Sequence, residues 1–60
     1  MELNEVKELK EVFLETAATL EEVEIAIQRE LNGDEVDEKE YEALMGKFLF
    51  QCMKISRITN

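Results

Sequence analysis

The sequence predicts an all-α fold: a two-helix antiparallel hairpin that assembles as a homodimeric four-helix bundle or a higher oligomer. The chain of 60 residues contains no proline and only two glycines, which is typical of a mainly helical protein. Apolar residues recur at helical spacing in two segments, about 3–31 and 37–58. The loop between them is short, and short loops join antiparallel neighbours. Together the two helices make a single domain over residues 1–60.

The first helix is expected to face the second with an apolar stripe whose steps are three, four and seven residues. The stripe comprises Val6, Leu9, Phe13, Ala17, Leu20, Val23, Ile27 and Leu31. Thr16 interrupts it and predicts a local thinning of the core. Gly33, which follows Asn32, predicts the end of the helix because glycine readily takes the left-handed conformation that closes a last turn.

The second helix is expected to begin after Asp37, which can cap it. Glu40, three residues later, predicts a capping-box-like arrangement, and Val36 with Tyr41 predicts a hydrophobic staple. A turn near Asp34 then fixes the register. The expected apolar pairs are Ile27 with Tyr41, Leu20 with Phe48, Thr16 and Ala17 with Cys52, and Phe13 with Ile55. The same register brings opposite charges level: Lys47 with Glu21 and Glu22, Lys54 with Glu15, and Arg57 with Glu11.

The second helix is too apolar for a single neighbour. Its apolar arc spans roughly 220°, whereas one neighbour requires little more than about 100°. The surplus predicts self-association. We expect an oligomer interface formed by Leu44, Phe48, Leu49 and Met53. A second interface, in a tetramer or with another protein, is expected from Ala43, Gly46 and Phe50 on this helix with Leu14, Ala18 and Ile25 on the first.

Gly46 requires a separate interpretation, because glycine within a helix costs about 1 kcal/mol relative to alanine. Three interpretations stay open at this stage. The glycine can be a neutral residue on an exposed face, it can admit another helix with Ala43 beside it and Phe50 as the anchor, or it can mark a break in the helix.

The charge of the chain disfavours nucleic acids and membranes as partners. The formal net charge is −8, and an acidic surface repels phosphate backbones and anionic lipid heads. The longest apolar stretch, 44–53, is far shorter than the about 20 residues of a membrane span. The N-terminus lacks the pattern of a secretory signal. We expect a cytoplasmic protein, and its size is typical of small proteins of microbes or their mobile elements.

The composition also argues against an enzyme, a metal site or a cofactor. The chain has no histidine and one cysteine, so a structural zinc site is not expected. Segment 32–40 is rich in oxygen ligands, but Val36 and Asp37 stand where a calcium loop requires a ligand and a glycine. A hairpin offers no pocket that would separate the pKa values of two glutamates for acid–base catalysis. Cys52 is expected to act as a small hydrophobe on the inner face.

In length and topology alone, this plan resembles the Rop-type regulators of plasmid copy number, which are helical hairpins that dimerise into four-helix bundles. The resemblance implies RNA binding through a basic face, but no residue motif carries it, and the acidity of this chain argues against that task. The sequence instead predicts a small acidic protein–protein interaction module, homo-oligomeric, that regulates or helps assemble a partner protein. The alternative is an acidic nucleic-acid mimic that inhibits a DNA-binding protein. A third hypothesis is RNA binding by Lys47, Lys54 and Arg57 clustered in an oligomer.

Overall fold

In the computed structural model, which describes residues 1–60, the chain forms two α-helices, α1 (Leu3–Leu31) and α2 (Glu38–Thr59). They lie side by side and antiparallel, in a rod of 47 × 15 × 11 Å. The prediction of an all-α helical hairpin is confirmed, with both helices close to their expected ends. The assembly of hairpins into a bundle stays a prediction.

The turn closes α1 with backbone hydrogen bonds. Gly33 has a φ of 91°, in the left-handed region that glycine adopts without strain. Its N–H donates to the carbonyl of Glu30 at 3.1 Å, and the N–H of Asp34 donates to the carbonyl of Arg29 at 3.0 Å. This pair of bonds is the Schellman motif. The predicted role of Gly33 is therefore confirmed.

The start of α2 is capped as predicted. Asp37 Oδ1 accepts a hydrogen bond from the N–H of Lys39 at 3.0 Å. Asp37 bonds the N–H of Lys39 rather than that of Glu40, and Glu40 makes no return bond to the backbone of Asp37, so the expected capping box does not form. Val36 and Tyr41 line the same groove beside the turn. Their packing as a hydrophobic staple stays a prediction.

The contact between the helices follows a seven-residue repeat on α1, with alternating steps of three and four. Its members are buried or half-buried: Leu9, Val12, Thr16, Thr19, Val23 and Ala26. The facing residues of α2 follow the same repeat: Tyr41, Leu44, Phe48, Gln51, Ile55 and Ile58. We call these two sets the inner rows.

The predicted inner stripe of α1 is wrong in its rotation about the helix axis. Phe13, Leu20 and Ile27, which were expected to face α2, are 54%, 47% and 40% exposed. Their places are taken by Val12, Thr19 and Ala26. The predicted inner pairs of Phe13 with Ile55, Leu20 with Phe48 and Ile27 with Tyr41 are therefore wrong.

Two threonines make this rotation possible. Thr16 Oγ1 donates to the carbonyl of Val12 at 2.7 Å, and Thr19 Oγ1 donates to the carbonyl of Glu15 at 3.1 Å. Because both hydroxyls are satisfied within α1, the threonines can be buried without a free donor. Small side chains also let the two helix backbones approach closely. Thr16, expected to mark a thin place in the core, is part of its centre.

The core of the hairpin is small and largely polar. Only Val12 and Ala26 are buried apolar residues, while Thr16, Thr19 and Gln51 are buried polar ones. The side-chain oxygen of Gln51 has no hydrogen-bond partner. The hairpin alone therefore derives little stability from buried apolar side chains.

Candidate interaction surface

One side of the hairpin is charged. Lys47 Nζ lies 3.8 Å from a carboxylate oxygen of Glu22, as the predicted register requires. On α1, the row beside the inner rows on this side consists of Glu8, Glu15, Glu22 and Arg29, and on α2 of Glu40, Lys47 and Lys54. We call this the charged side.

The residues that line the grooves along the charged side show which positions of the two helices lie level with each other. Glu15 and Lys54 line one groove, and Arg29 and Glu40 line another. With the pair of Glu22 and Lys47 between them, each step of seven residues forward on α1 matches a step of seven residues back on α2. Lys54 forms no ion pair with Glu15; its ammonium lies 5.1 Å from the centroid of the Phe50 ring.

The opposite side of α1 carries a second apolar stripe. Nine positions alternate by three and four residues along its length: Leu3, Val6, Lys10, Phe13, Ala17, Leu20, Glu24, Ile27 and Leu31. All nine are exposed in the hairpin. At about 100° per residue, this stripe lies roughly 100° around the helix from the inner rows. We call it the α1 seam.

α2 contributes to the same side. Met45 and Cys52 lie beside its inner rows, away from Lys47, and both are half-buried. Leu49 stands next to them and is exposed. Met45, Leu49 and Cys52 together with the α1 seam form one continuous surface, which we call the apolar face.

The predicted oligomer interface is divided among three places on α2. Leu49 lies on the apolar face, and Leu44 and Phe48 lie half-buried in the inner rows against α1. Met53 is 60% exposed on the side of α2 that points away from α1. The role of these four residues in an oligomer stays a prediction.

The predicted second interface is spread over the outer flanks of both helices. Leu14, Ile25 and Phe50 are each more than half exposed, and Ala18 and Ala43 are exposed as well. This second interface also stays a prediction.

Gly46 lies in open space within an unbroken α2. A Cβ atom built on Gly46 would meet no atom within 4 Å, so nothing in the hairpin requires glycine there. The helix continues through this position to Thr59, which leaves a neutral exposed glycine and the approach of another helix as the two interpretations.

No group of three or more cysteine, aspartate and glutamate side chains is arranged as metal ligands would be. Cys52, which was expected on the inner face of α2, is a free, half-buried thiol beside the inner rows. Neither helix is long and apolar enough to cross a membrane.

The fold and this surface define a class: a helical hairpin that leaves twelve large apolar side chains outside its core. Neither a protein-family model, nor a curated protein, nor a solved structure gives a significant match to the chain. The functional interpretation therefore depends on the geometry of the surface.

Proposed function

We propose that this chain is a non-enzymatic interaction protein that acts as a homo-oligomer and regulates or helps assemble a partner protein. One observation carries the proposal. Twelve large apolar side chains are at least 40% exposed, whereas Val12 and Ala26 are the only buried apolar residues. Soluble monomers rarely expose contiguous apolar patches of more than a few hundred Å².

The energetics favour association. Full burial of one Val, Leu, Ile or Phe side chain contributes about 1.5–3 kcal/mol. Phe13, Leu20, Ile27 and Leu49 each have at least two fifths of their surface in water. A partner that covers these four side chains gains the free energy of apolar burial that the isolated hairpin does not obtain. The proposal places the protein in the cytoplasm, where the Cys52 thiol stays reduced.

Light scattering during size-exclusion chromatography tests the self-association. We expect a dimer or larger species at micromolar concentration. A clean monomer under those conditions contradicts the homo-oligomeric part of the proposal. Affinity capture from the native host, followed by mass spectrometry, tests for a partner protein.

Phe50, which lies beside Lys54 on the outer flank of α2, tests whether the predicted second interface binds a partner. Phe50→Asp is expected to weaken partner capture or self-assembly, because it removes an exposed aromatic ring and adds a charge. Gln28→Glu is the matched control, since it adds the same charge at an exposed polar position. If both variants capture the partner and self-assemble as the parent chain does, Phe50 is not part of the interaction surface.

The acidic nucleic-acid mimic is the weaker candidate. It requires a negative row, but on that side Lys47 pairs with Glu22, and Lys54 lines a groove together with Glu15. Salt discriminates between the two functions. Binding by mimicry falls steeply with ionic strength, whereas binding through apolar surface does not.

A further inference from the structure

The α1 seam reads almost the same in both directions. Ala17 is its central position, and Leu3 and Leu31 are its two ends. The only charged residues, Lys10 and Glu24, stand seven residues before and seven residues after Ala17. Val6 matches Ile27, and Phe13 matches Leu20, each to within one residue. A sequence of this kind is complementary to itself when one copy runs backwards along the other.

The two charges decide the direction of pairing. In a parallel pair of α1 helices, Lys10 would lie against Lys10 of the second copy, and Glu24 against Glu24. In an antiparallel pair centred on Ala17, each Lys10 comes level with Glu24 of the second copy. Like charges placed level in a helical seam are destabilising, and opposite charges set orientation and register. The small side chain of Ala17 permits close approach at the centre.

The exposed area is large enough for a second copy. A monomer of 7.0 kDa is expected to expose about 4,000 Å². The hairpin exposes 4959 Å², an excess of about 900 Å² over that scaling. A standard interface covers about 800 Å² on each partner. The excess is comparable with the area that one such interface covers on each partner.

The hairpin register predicts which part of α2 lies at the centre of such a pair. Glu15 shares a groove with Lys54, and Glu22 pairs with Lys47. The same register sets Ala17 level with Cys52, and Cys52 belongs to the apolar face. A two-fold axis that passes through Ala17 across the face therefore also passes close to Cys52.

We propose that the apolar face binds a second copy of this chain, with α1 antiparallel to α1 and α2 antiparallel to α2, around a two-fold axis near Ala17 and Cys52. The inference rests on the proposed function, since it names the surface and the partner of that self-association. A different protein fits this face less well. The α1 seam is nearly the same in both directions from Ala17, and this symmetry matches only a second copy of the same chain.

Charge exchange tests the direction of pairing. Lys10→Glu places two glutamates level at two symmetric points, and we expect roughly tenfold weaker dimerisation in sedimentation equilibrium. The double variant, Lys10→Glu with Glu24→Lys, restores opposite charges and is expected to recover the affinity. In a parallel pair both variants keep like charges level, as the parent chain does, so an affinity that neither variant changes overturns the inference.

Apolar-to-charged substitutions test the face. Leu20→Asp is expected to weaken dimerisation at least a hundredfold, because a charge is then buried at the interface. Gln28→Asp adds the same charged side chain at an exposed position of α1 that neither the apolar face nor the predicted second interface includes, and it is expected to leave the dimer intact. Circular dichroism establishes that both variants fold. A dimer that survives Leu20→Asp overturns the inference but not the proposed self-association, whereas a parent chain that is monomeric at every concentration overturns both.

The thiol of Cys52 reports on the axis. Two cysteines that meet across a two-fold axis can reach the 4.4–6.8 Å between Cα atoms that a disulfide requires. We expect mild oxidation or a short bis-maleimide to yield a covalent dimer on a non-reducing gel, and Cys52→Ser to abolish it. A parent dimer that neither reagent links overturns the placement of the axis.

Discussion

Replacing Gln51 with leucine is expected to stabilise the hairpin. Gln51 is only 4% exposed, and its side-chain oxygen accepts no hydrogen bond. The hydroxyls of Thr16 and Thr19, the other buried polar residues, both donate to carbonyls of α1, so neither has a proton to give to Gln51. A buried acceptor without a donor costs about 1–3 kcal/mol. Leucine has a similar volume and no polar atom.

The expected gain in the free energy of unfolding is therefore about 1–3 kcal/mol. In a domain of this size, each kcal/mol raises Tm by roughly 4–8 °C, so an increase of at least about 4 °C is expected. Thermal and urea unfolding followed by circular dichroism measures it. All samples must have the same protein concentration, because association contributes to apparent stability.

Gln51→Glu is the matched control. It preserves the shape of the side chain but places a carboxyl group in the same buried position, and it is expected to lower the free energy of unfolding. A Gln51→Leu variant that is less stable than the parent chain would refute the reasoning. The amide would then have a hydrogen-bond partner in the protein as it exists in solution.

Three further substitutions test the helix ends and the exposed glycine. Gly46→Ala is expected to add about 1 kcal/mol to the free energy of unfolding, because its Cβ meets no atom within 4 Å; weaker partner capture by the same variant would instead show that another helix approaches there. Asp37→Ala is expected to remove about 1 kcal/mol, since it loses the 3.0 Å bond to the N–H of Lys39, with Asp34→Ala as the control in urea unfolding. Gly33→Ala is expected to cost about 1 kcal/mol or more because φ there is 91°, and an unchanged unfolding midpoint would contradict this.

The ends of the helices were predictable because their signals are local. The turn at Gly33 closes α1 and Asp37 caps α2 through bonds between residues at most five positions apart. The antiparallel register was also predictable, since a short loop permits few arrangements, and Lys47 meets Glu22 as expected. These features depend on the backbone, so the packing of side chains hardly affects them.

The rotation of α1 was not predictable from hydrophobicity. Two rows flank Leu9, Thr16 and Val23: Val12, Thr19 and Ala26 on one side, and Val6, Phe13, Leu20 and Ile27 on the other. The second row is more apolar, and the sequence therefore predicts that it faces α2. The hairpin instead buries the row of smaller side chains, and the bond from the Thr19 hydroxyl to the carbonyl of Glu15 satisfies its buried donor. The alternating steps of three and four residues continue without a break from Leu3 to Leu31. This spacing indicates a second stripe on α1, separate from the row that faces α2, which the hydrophobicity of single residues does not reveal.

This rotation connects the weakness of the hairpin to its proposed assembly. With Val12, Thr19 and Ala26 inside, the isolated hairpin leaves Phe13, Leu20 and Ile27 in water, which lowers its own stability. Pairing through the apolar face would bury those side chains around the same helix, so that folding and association become coupled. The unfolding midpoint of the parent chain is then expected to rise with protein concentration. That of Leu20→Asp is expected to be lower and independent of concentration, which separates an assembly contribution from simple loss of fold.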